Sequence, residues 1–132
     1  MYVNTKEKAE WLKKKMTDSN FNVAMTNGDL PQKEREELLK DFRKTKYRIL
    51  ITTDLMSRGI DIQNVSLVIN YETPNQRETY LHRIGRSGRF GKQGVAINLV
   101  TPLEHQKLMD IAQYFNIMID EMSANIQDSV NF

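Results

Sequence analysis

The chain has 132 residues, of which 39% are hydrophobic and 27% are charged, with 6 glycines and 3 prolines. This length and balance favour one folded domain with a core of ordinary size, and they exclude a disordered or fibrous chain. The 19 Lys and Arg against 17 Asp and Glu leave a formal charge of only +2, so a nucleic-acid site has to come from local clustering of basic residues.

The sequence contains no cysteine, which excludes disulfides, zinc knuckles and thiol chemistry and is compatible with a reducing compartment. No apolar run approaches the roughly 18 residues of a membrane span, and the first residues, MYVNTKEKAEW, lack the apolar stretch of a signal peptide. We therefore expect a soluble intracellular domain.

Strand and helix patterns alternate along the chain. The first half predicts a strand ending at residues 3–5 whose beginning lies outside the chain, a helix over 6–16 with Thr5 as N-cap, a strand at 21–25 and a helix from Pro31 to about Lys44. The second half predicts a strand within 47–54, a strand at 65–71, a helix capped by Asn75, a strand at 94–100 and a helix over 104–115. Residues after Asn116 are left unassigned.

Apolar residues at helical spacing mark the sides of these helices that face the core. In the first helix Ala9, Leu12 and Met16 have this spacing, and we expect Trp11 beside them to be core rather than a base-stacking platform. The lysines at 13–15 are read as a solvated face. In the helix after Asn75, Glu78 completes a capping-box pattern, and the residues expected to point inward are Tyr80, Leu81 and Ile84.

The central strand Ile49-Leu50-Ile51 is apolar without alternation, as in strands covered on both faces. The alternation of elements therefore predicts an α/β fold with a parallel sheet and helices on both faces. Ligand sites in such sheets gather at the carboxyl ends of strands. The unusual polar segments fall at these ends: Thr5, Gly28-Asp29, Thr52-Thr53-Asp54 and the loop after Ile84.

Residues 82–94 read HRIGRSGRFGKQG, a loop rich in positive charge. Its glycines recur at every third position, at Gly85, Gly88, Gly91 and Gly94. Four glycines without proline are too few for collagen, and the chain contains no G-x-x-x-x-G-K-[ST] phosphate loop. Arg86 and Arg89 could turn together onto one phosphate, since guanidinium groups match its oxygens and stay charged when desolvated. The alternative is a solvated basic loop.

Residues 52–62, TTDLMSRGIDI, close a buried strand with two threonines and an aspartate. A helical turn starting at Asp54 would offer N–H groups to an anion, and Arg58, Gly59 and Asp61 follow as cation, hinge and carboxylate. Helix capping by Asp54 and turn stabilisation by Asp61 remain equally natural interpretations.

Residues 27–35, NGDLPQKER, join a glycine turn to the start of a helix. Gln32 and Arg35 lie on one side of the first turn, where Arg35 and backbone amides could hold a nucleic-acid phosphate. A capped helix with ordinary surface charges is the alternative and the commoner case.

Together these segments resemble the C-terminal RecA-like domain of DEAD-box RNA helicases, in helicase superfamily two. YVNT resembles motif IV, NGD through Arg35 the Gln-x-x-Arg motif, TTDLMSRGID motif V and HRIGRSGR motif VI, in the family's order over nearly all of residues 2–101. The wording QKERE, RILITTD, VSLVINYETP and EMSANIQD looks closest to the eukaryotic translation initiation factor 4A branch. The resemblance implies a RecA-like three-layer sandwich spanning residues 1–132.

Two residues depart from the family pattern, and several motifs are missing. Asn27 stands where His is usual before Gly-Asp, and Ser87 replaces the commoner Thr of motif VI. The Walker A segment, the Asp-Glu-Ala-Asp motif and the adenine-reading glutamine motif are not in this chain. We therefore expect the N-terminal ATP-binding domain to lie outside it, and the isolated domain to be inactive as an ATPase and weak in binding RNA.

The resemblance implies that ATP with Mg²⁺ binds mainly to that N-terminal domain and is completed from this one. Arg86 and Arg89 would reach the γ-phosphate as arginine fingers, and Asp61, with Gly59 shaping the turn, would meet the ribose or a bound water. His82 and Arg83 would tie motif VI to the acidic motif of the other domain. Arg83 has an alternative, which is to pair with Asp54 or Asp61 inside this domain.

RNA would lie across both domains and be held through its sugar-phosphate backbone, which makes binding largely independent of sequence and sensitive to salt. The residues implied to bind it are Asn4, Thr5, Gly28, Asp29, Gln32, Arg35, Thr53 and Arg58. No protein metal ligand is expected.

The expected role is unwinding of mRNA in translation initiation, in the cytoplasm with the nucleus as the alternative compartment. One alternative is a module that docks onto helical-repeat scaffold proteins, or an RNA clamp of the exon-junction type, without processive unwinding. Another is a DNA translocase, although related motif VI loops there commonly read Gln-x-x-Gly-Arg, so His82 favours RNA.

Overall fold

The computed structural model describes residues 1–26, 29–54, 65–85 and 94–122. Its strands are β1 (Tyr2–Val3), β2 (Val23–Thr26), β3 (Ile49–Thr53), β4 (Leu67–Asn70) and β5 (Val95–Asn98). Its helices are α1 (Lys6–Asp18), α2 (Gln32–Arg43), α3 (Arg77–Ile84) and α4 (Pro102–Phe115). None of the helices in the described residues has the length and apolar composition of a membrane span.

The five strands form one parallel sheet in the order β2-β3-β1-β4-β5. The short strand β1 is central, with Tyr2 opposite Thr52 of β3 on one side and opposite Asn70 of β4 on the other. At the next pair, Asn70 is opposite Asn98 of β5. The carboxyl ends of β3, β1, β4 and β5 therefore meet at one edge of the sheet.

Helices cover both faces of this sheet, as predicted. Ala24 and Leu50 pack with Leu39 of α2 in one cluster, while their chain neighbours Val23 and Ile51 pack with residues of α1 in another. Since successive side chains of a strand point to opposite faces, α1 and α2 lie on opposite sides. A third cluster joins α3 and α4 through Tyr80, Leu108 and Ile111.

Threonine side chains cap the first turns of α1 and α4. The Thr5 hydroxyl accepts a hydrogen bond from the Lys8 N–H at 3.2 Å, so the predicted N-cap of α1 is confirmed. Thr101 caps α4 in the same way through the Glu104 N–H at 3.3 Å. α4 therefore starts two residues before the predicted helix.

Trp11 was predicted to be core, and this is wrong: its side chain is 46% exposed. Ala9 and Leu12 occupy the stripe of α1 that faces the sheet, and Trp11 lies about 100° around the helix from Leu12. Its ring contacts that of Tyr71, with centroids 6.4 Å apart, and Lys8 lies 4.8 Å from the ring centroid.

The start of α3 also differs from the prediction. Its N-cap is Gln76 rather than Asn75, whose side-chain oxygen accepts a hydrogen bond from Lys107 Nζ at 2.9 Å. Tyr80 is buried against α4 as expected. Leu81, the next residue on the helix, points about 100° away from this contact and is 39% exposed.

Candidate nucleic-acid and nucleotide interface

The Arg83 side chain of α3 is fully buried beneath the carboxyl ends of the strands. It forms a bidentate ion pair with Asp54, the residue after β3. Arg83 Nε donates to Asp54 Oδ1 and Arg83 Nη2 donates to Asp54 Oδ2, both at 2.6 Å. Arginine suits this position because it stays charged when desolvated and presents a planar fork of donors to a carboxylate.

The remaining donors of Arg83 reach two further strands. Nη2 also donates to Asn4 Oδ1 after β1 at 2.7 Å, and Nη1 donates to the Glu72 carbonyl after β4 at 2.7 Å and to Asn70 Oδ1 at 3.3 Å. One guanidinium thus joins the ends of β3, β1 and β4. All of these partners are acceptors, which matches a group that has only donors.

These contacts bear on the two roles predicted for Arg83. The alternative pairing with Asp54 inside this domain is observed. The tie of Arg83 to the acidic motif of another domain stays a prediction. His82, its neighbour on α3, is exposed, and its interdomain role stays a prediction. Asp61 lies outside the described residues.

Asn4 connects β1 to the segment after β4. Its N–H donates to Glu72 Oε1 and its Nδ2 donates to the Thr73 carbonyl, both at 2.9 Å, while its Oδ1 accepts from Arg83. Both polar groups of the side chain are therefore engaged within the domain. The predicted contact of Asn4 with RNA remains a prediction.

Thr5, Lys6 and Asp29 lie together at the N-terminal end of α1. The Lys6 ammonium pairs with the Asp29 carboxylate, and this hydrogen bond raises the pKa of Lys6. Lys6 was not among the predicted site residues, although its position directly after Thr5 is a usable signal. The exposed pair joins the start of α1 to the segment that leads into α2.

The first turn of α2 carries Gln32 and Arg35. Gln32 is exposed and donates to Glu36 Oε1 at 3.1 Å. Arg35 is half-buried, its Nη2 donates to the Leu30 carbonyl at 3.2 Å, and its buried Nε has no hydrogen-bond partner. Thr53 is buried at the end of β3, and its carbonyl accepts from the Thr52 hydroxyl at 3.1 Å.

Six of the predicted site residues lie outside the described residues: Gly28, Arg58, Gly59, Asp61, Arg86 and Arg89. The structure nevertheless describes the residues that immediately precede two of the segments in which they lie, residues 55–64 and 86–93. Asp54 immediately precedes residues 55–64, and Gly85 at the end of α3 immediately precedes residues 86–93. The Arg83–Asp54 pair therefore joins the starting points of both segments.

Glu104 of α4 is a contact that the sequence did not single out. Its carboxylate accepts from the Thr73 N–H at 2.8 Å, so it fixes the segment between β4 and α3. Burial acts to raise the pKa of the Glu104 carboxyl, but hydrogen bonds from Thr73 and Thr101 outweigh it and leave the pKa below its ordinary value. The pattern Thr101-x-x-Glu104 is a capping box that could have identified it.

Residues 1–91 match the model of the helicase conserved C-terminal domain. The chain is 52% identical over 131 residues to the ATP-dependent RNA helicase fal-1 of Neurospora crassa, covering 99% of this chain and 33% of the relative. It is 53% identical over 130 residues to eukaryotic initiation factor 4A-3 of Nicotiana plumbaginifolia, covering 98% and 33%. The chain thus spans about a third of the length of the curated relatives it matches.

Solved structures share the fold. The C-terminal domain of the DEAD-box protein Dbp5 superposes with a TM-score of 0.85 at 39% identity, over 98% of this chain and 76% of that one. A DEAD box protein from Methanococcus jannaschii gives 0.86 at 40% identity, over 92% and 34%. The predicted RecA-like α/β fold is therefore confirmed, and the chain belongs to the helicase conserved C-terminal domain family, in the form found in DEAD-box RNA helicases.

Proposed function

We propose that this chain is the C-terminal half of the catalytic unit of an ATP-dependent RNA helicase, which works when it closes onto an N-terminal RecA-like domain. The observation that carries the proposal is the Arg83–Asp54 pair, because it joins the starts of the two segments that hold the predicted phosphate-binding residues. Curated relatives named ATP-dependent RNA helicases support the same activity.

On the nucleotide side, Arg86 and Arg89 act as arginine fingers on the γ-phosphate, while Asp61, with Gly59 shaping the turn, meets the ribose or a bound water. ATP and its Mg²⁺ are held mainly by the N-terminal domain, since this chain carries no G-x-x-x-x-G-K-[ST] phosphate loop. Cationic groups of this kind offset the charge that develops on the transferred phosphoryl group. His82, exposed beside buried Arg83, faces the other domain.

On the RNA side, the strand ends and the first turns of α1 and α2 hold the sugar-phosphate backbone. The proposed contacts come from Asn4, Thr5, Gly28, Asp29, Gln32, Arg35, Thr53 and Arg58. A structure of S. cerevisiae Dbp5 bound to RNA and ADP BeF3, 41% identical with a TM-score of 0.81, supports RNA binding by chains of this fold. Closure of the two domains bends one strand, and ATP hydrolysis resets the open state.

We place this helicase in the unwinding of mRNA during translation initiation, in the cytoplasm, on the strength of the initiation-factor names among its relatives. The competing role is an RNA clamp docked on a helical-repeat scaffold, in the cytoplasm or the nucleus. Structures of Dbp5 with Gle1 and of SrmB with the regulator RraA support protein docking by related chains.

The test is to join this chain to the N-terminal domain of a relative, such as factor 4A-3 of Nicotiana plumbaginifolia, and to measure ATP hydrolysis with single-stranded RNA or DNA. We expect stimulation by RNA, and a loss of about 10³-fold or more in kcat for Arg86→Ala or Arg89→Ala. The matched control is Arg77→Ala, an exposed arginine on α3 stacked 4.4 Å from the Tyr114 ring centroid, which should leave turnover unchanged.

Two results would refute the proposal. Turnover that survives both arginine substitutions would remove the finger assignment. Stimulation by DNA and not by RNA would replace the helicase reading with the DNA translocase alternative.

A further inference from the structure

A closed circuit of hydrogen bonds attaches helix α3 to the sheet at two points. Arg83 Nη1 donates to Asn70 Oδ1 at 3.3 Å, and Asn70 Nδ2 donates to Asn98 Oδ1 at 2.8 Å. Asn98 Nδ2 then donates to the Tyr80 hydroxyl at 3.1 Å, which returns the circuit to α3. Tyr80 and Arg83 are three positions apart on the helix, so both lie on its inner side.

The direction of every bond in this circuit follows from Arg83. A guanidinium cannot accept, so Asn70 must turn its oxygen towards Arg83 and its amide nitrogen towards Asn98. Asn98 must then present its oxygen to Asn70, which leaves its amide nitrogen for Tyr80. Each side chain therefore has one orientation that satisfies its neighbours.

The sheet register and burial make the circuit rigid. Asn70 and Asn98 are the last residues of β4 and β5 and are paired directly, which places their amides side by side. Arg83, Asn70 and Tyr80 are 0%, 1% and 3% exposed, so water does not readily replace a broken bond. A rotation or shift of α3 would leave a buried donor without a partner, and such a donor is costly.

We propose that Tyr80 and Asn98 are positioning residues for Arg86 and Arg89. By fixing α3 at two points they set where the segment after Gly85 leaves the helix, and hence where both arginines start. The inference rests on the proposed function for the role of those arginines. The circuit itself is independent of that function.

The circuit is tested first in the 132-residue chain by NMR of the Arg83 guanidinium protons. We expect Tyr80→Phe and Asn98→Leu to speed their exchange with water about tenfold, the scale of one lost buried hydrogen bond. Tyr114→Phe is the matched control, because Tyr114 is 58% exposed, and it should change nothing. Asn98→Asp should stay near the unsubstituted rate, since its two oxygens accept from Asn70 and from the Tyr80 hydroxyl.

Positioning is tested in the chain joined to the N-terminal domain. We expect Tyr80→Phe to lower kcat between about ten- and a hundredfold with little change in the KM for RNA, as for a small misplacement of catalytic groups. Asn98→Asp should keep most of the turnover that Asn98→Leu loses. Ile111→Val, which weakens the packing around Tyr80 without touching the circuit, should leave kcat unchanged.

The outcomes separate the two claims. Unchanged Arg83 exchange in both Tyr80→Phe and Asn98→Leu would overturn the circuit. Faster exchange with unchanged kcat, while Arg86→Ala abolishes turnover, would overturn the positioning role and leave the proposed function standing. If the unsubstituted joined protein shows no turnover stimulated by RNA, the proposed function fails and the positioning role fails with it.

Discussion

Two ion pairs link elements near the carboxyl ends of the strands, and they differ in their surroundings. Arg83–Asp54 has a fully buried cation and a carboxylate side chain that is 32% exposed, whereas in Lys6–Asp29 the two side chains are 44% and 72% exposed. Water competes for the second pair and not for the guanidinium of the first. The buried Arg83–Asp54 pair is therefore a fixed structural contact, whereas the exposed Lys6–Asp29 pair can be broken by water or salt.

The difference in burial between the two ion pairs fits the segments that each pair connects. The buried pair joins the starts of the two segments with predicted phosphate-binding residues, and a fixed spacing is useful there. The exposed pair joins the start of α1 to the segment that leads into α2, and water competes for both of its side chains. Burial, rather than the presence of opposite charges, is what separates the two pairs.

Breaking the buried pair should have the largest effect. Asp54→Asn leaves the Arg83 charge buried without its carboxylate, and we expect the free energy of unfolding to fall by about 3–5 kcal/mol. Urea denaturation of the 132-residue chain, with and without Asp54→Asn, measures this change in the free energy of unfolding. A loss below about 1 kcal/mol would place this pair in the exposed class and remove the contrast.

The Met1 amino group sharpens the comparison, because it faces a carbonyl instead of a carboxylate. Its nitrogen donates to the Leu50 carbonyl at 2.6 Å, and burial, with the nearby Arg83 charge, lowers its pKa from 8.0 to about 5, so the amine is neutral at neutral pH. The unfolded chain therefore binds more protons between these values, so stability should rise from pH 5 to pH 8, by up to about 4 kcal/mol.

The measurement is urea denaturation of the chain with its free amino terminus across that pH range. Acetylation of Met1 removes the titrating group and should flatten the dependence. An equally steep pH profile in the acetylated chain would assign the effect to other groups.

The exposed pair should give the smallest effect. In a double-mutant cycle of Lys6→Ala and Asp29→Ala, we expect a coupling energy close to the error of the measurement, which decreases further as salt is added. Thermal or urea unfolding at low and high ionic strength measures this coupling energy. A coupling energy comparable to the effect of Asp54→Asn that salt does not change would show that exposure is not what separates the two pairs.

Local signals predicted most of the fold. Apolar runs such as Ile49-Leu50-Ile51 and the cap at Thr5 depend on neighbouring residues, and the parallel sheet with helices on both faces followed from their alternation. Trp11 and Leu81 were misplaced because helical spacing gives the apolar side only to within one position. The packing against the sheet and α4 buries Leu12 and Tyr80, as predicted, and leaves their chain neighbours Trp11 and Leu81 exposed.

For the candidate site too, local sequence predicted some features and tertiary contacts decided others. Residue types and motif order identified the strand-end segments and named Asp54 as one of two partners for Arg83, but the choice between them needed a contact across 29 positions of sequence. Asn98 was missed because its role arises only when β5 lies beside β4. The capping-box spacing could have identified Glu104 at the start of α4, but its contact with Thr73 arises only when α4 lies beside the segment after β4.

By itself, therefore, the sequence determined the class of fold, the family resemblance and the segments that carry the chemistry, because these depend on local composition, spacing and motif order. The tertiary structure decided which charges are buried, which partner Arg83 takes and how Tyr80, Asn98 and Asn70 attach α3 to the sheet. Burial and hydrogen-bond direction are properties of groups distant in sequence, and they exist only once the strands are in register.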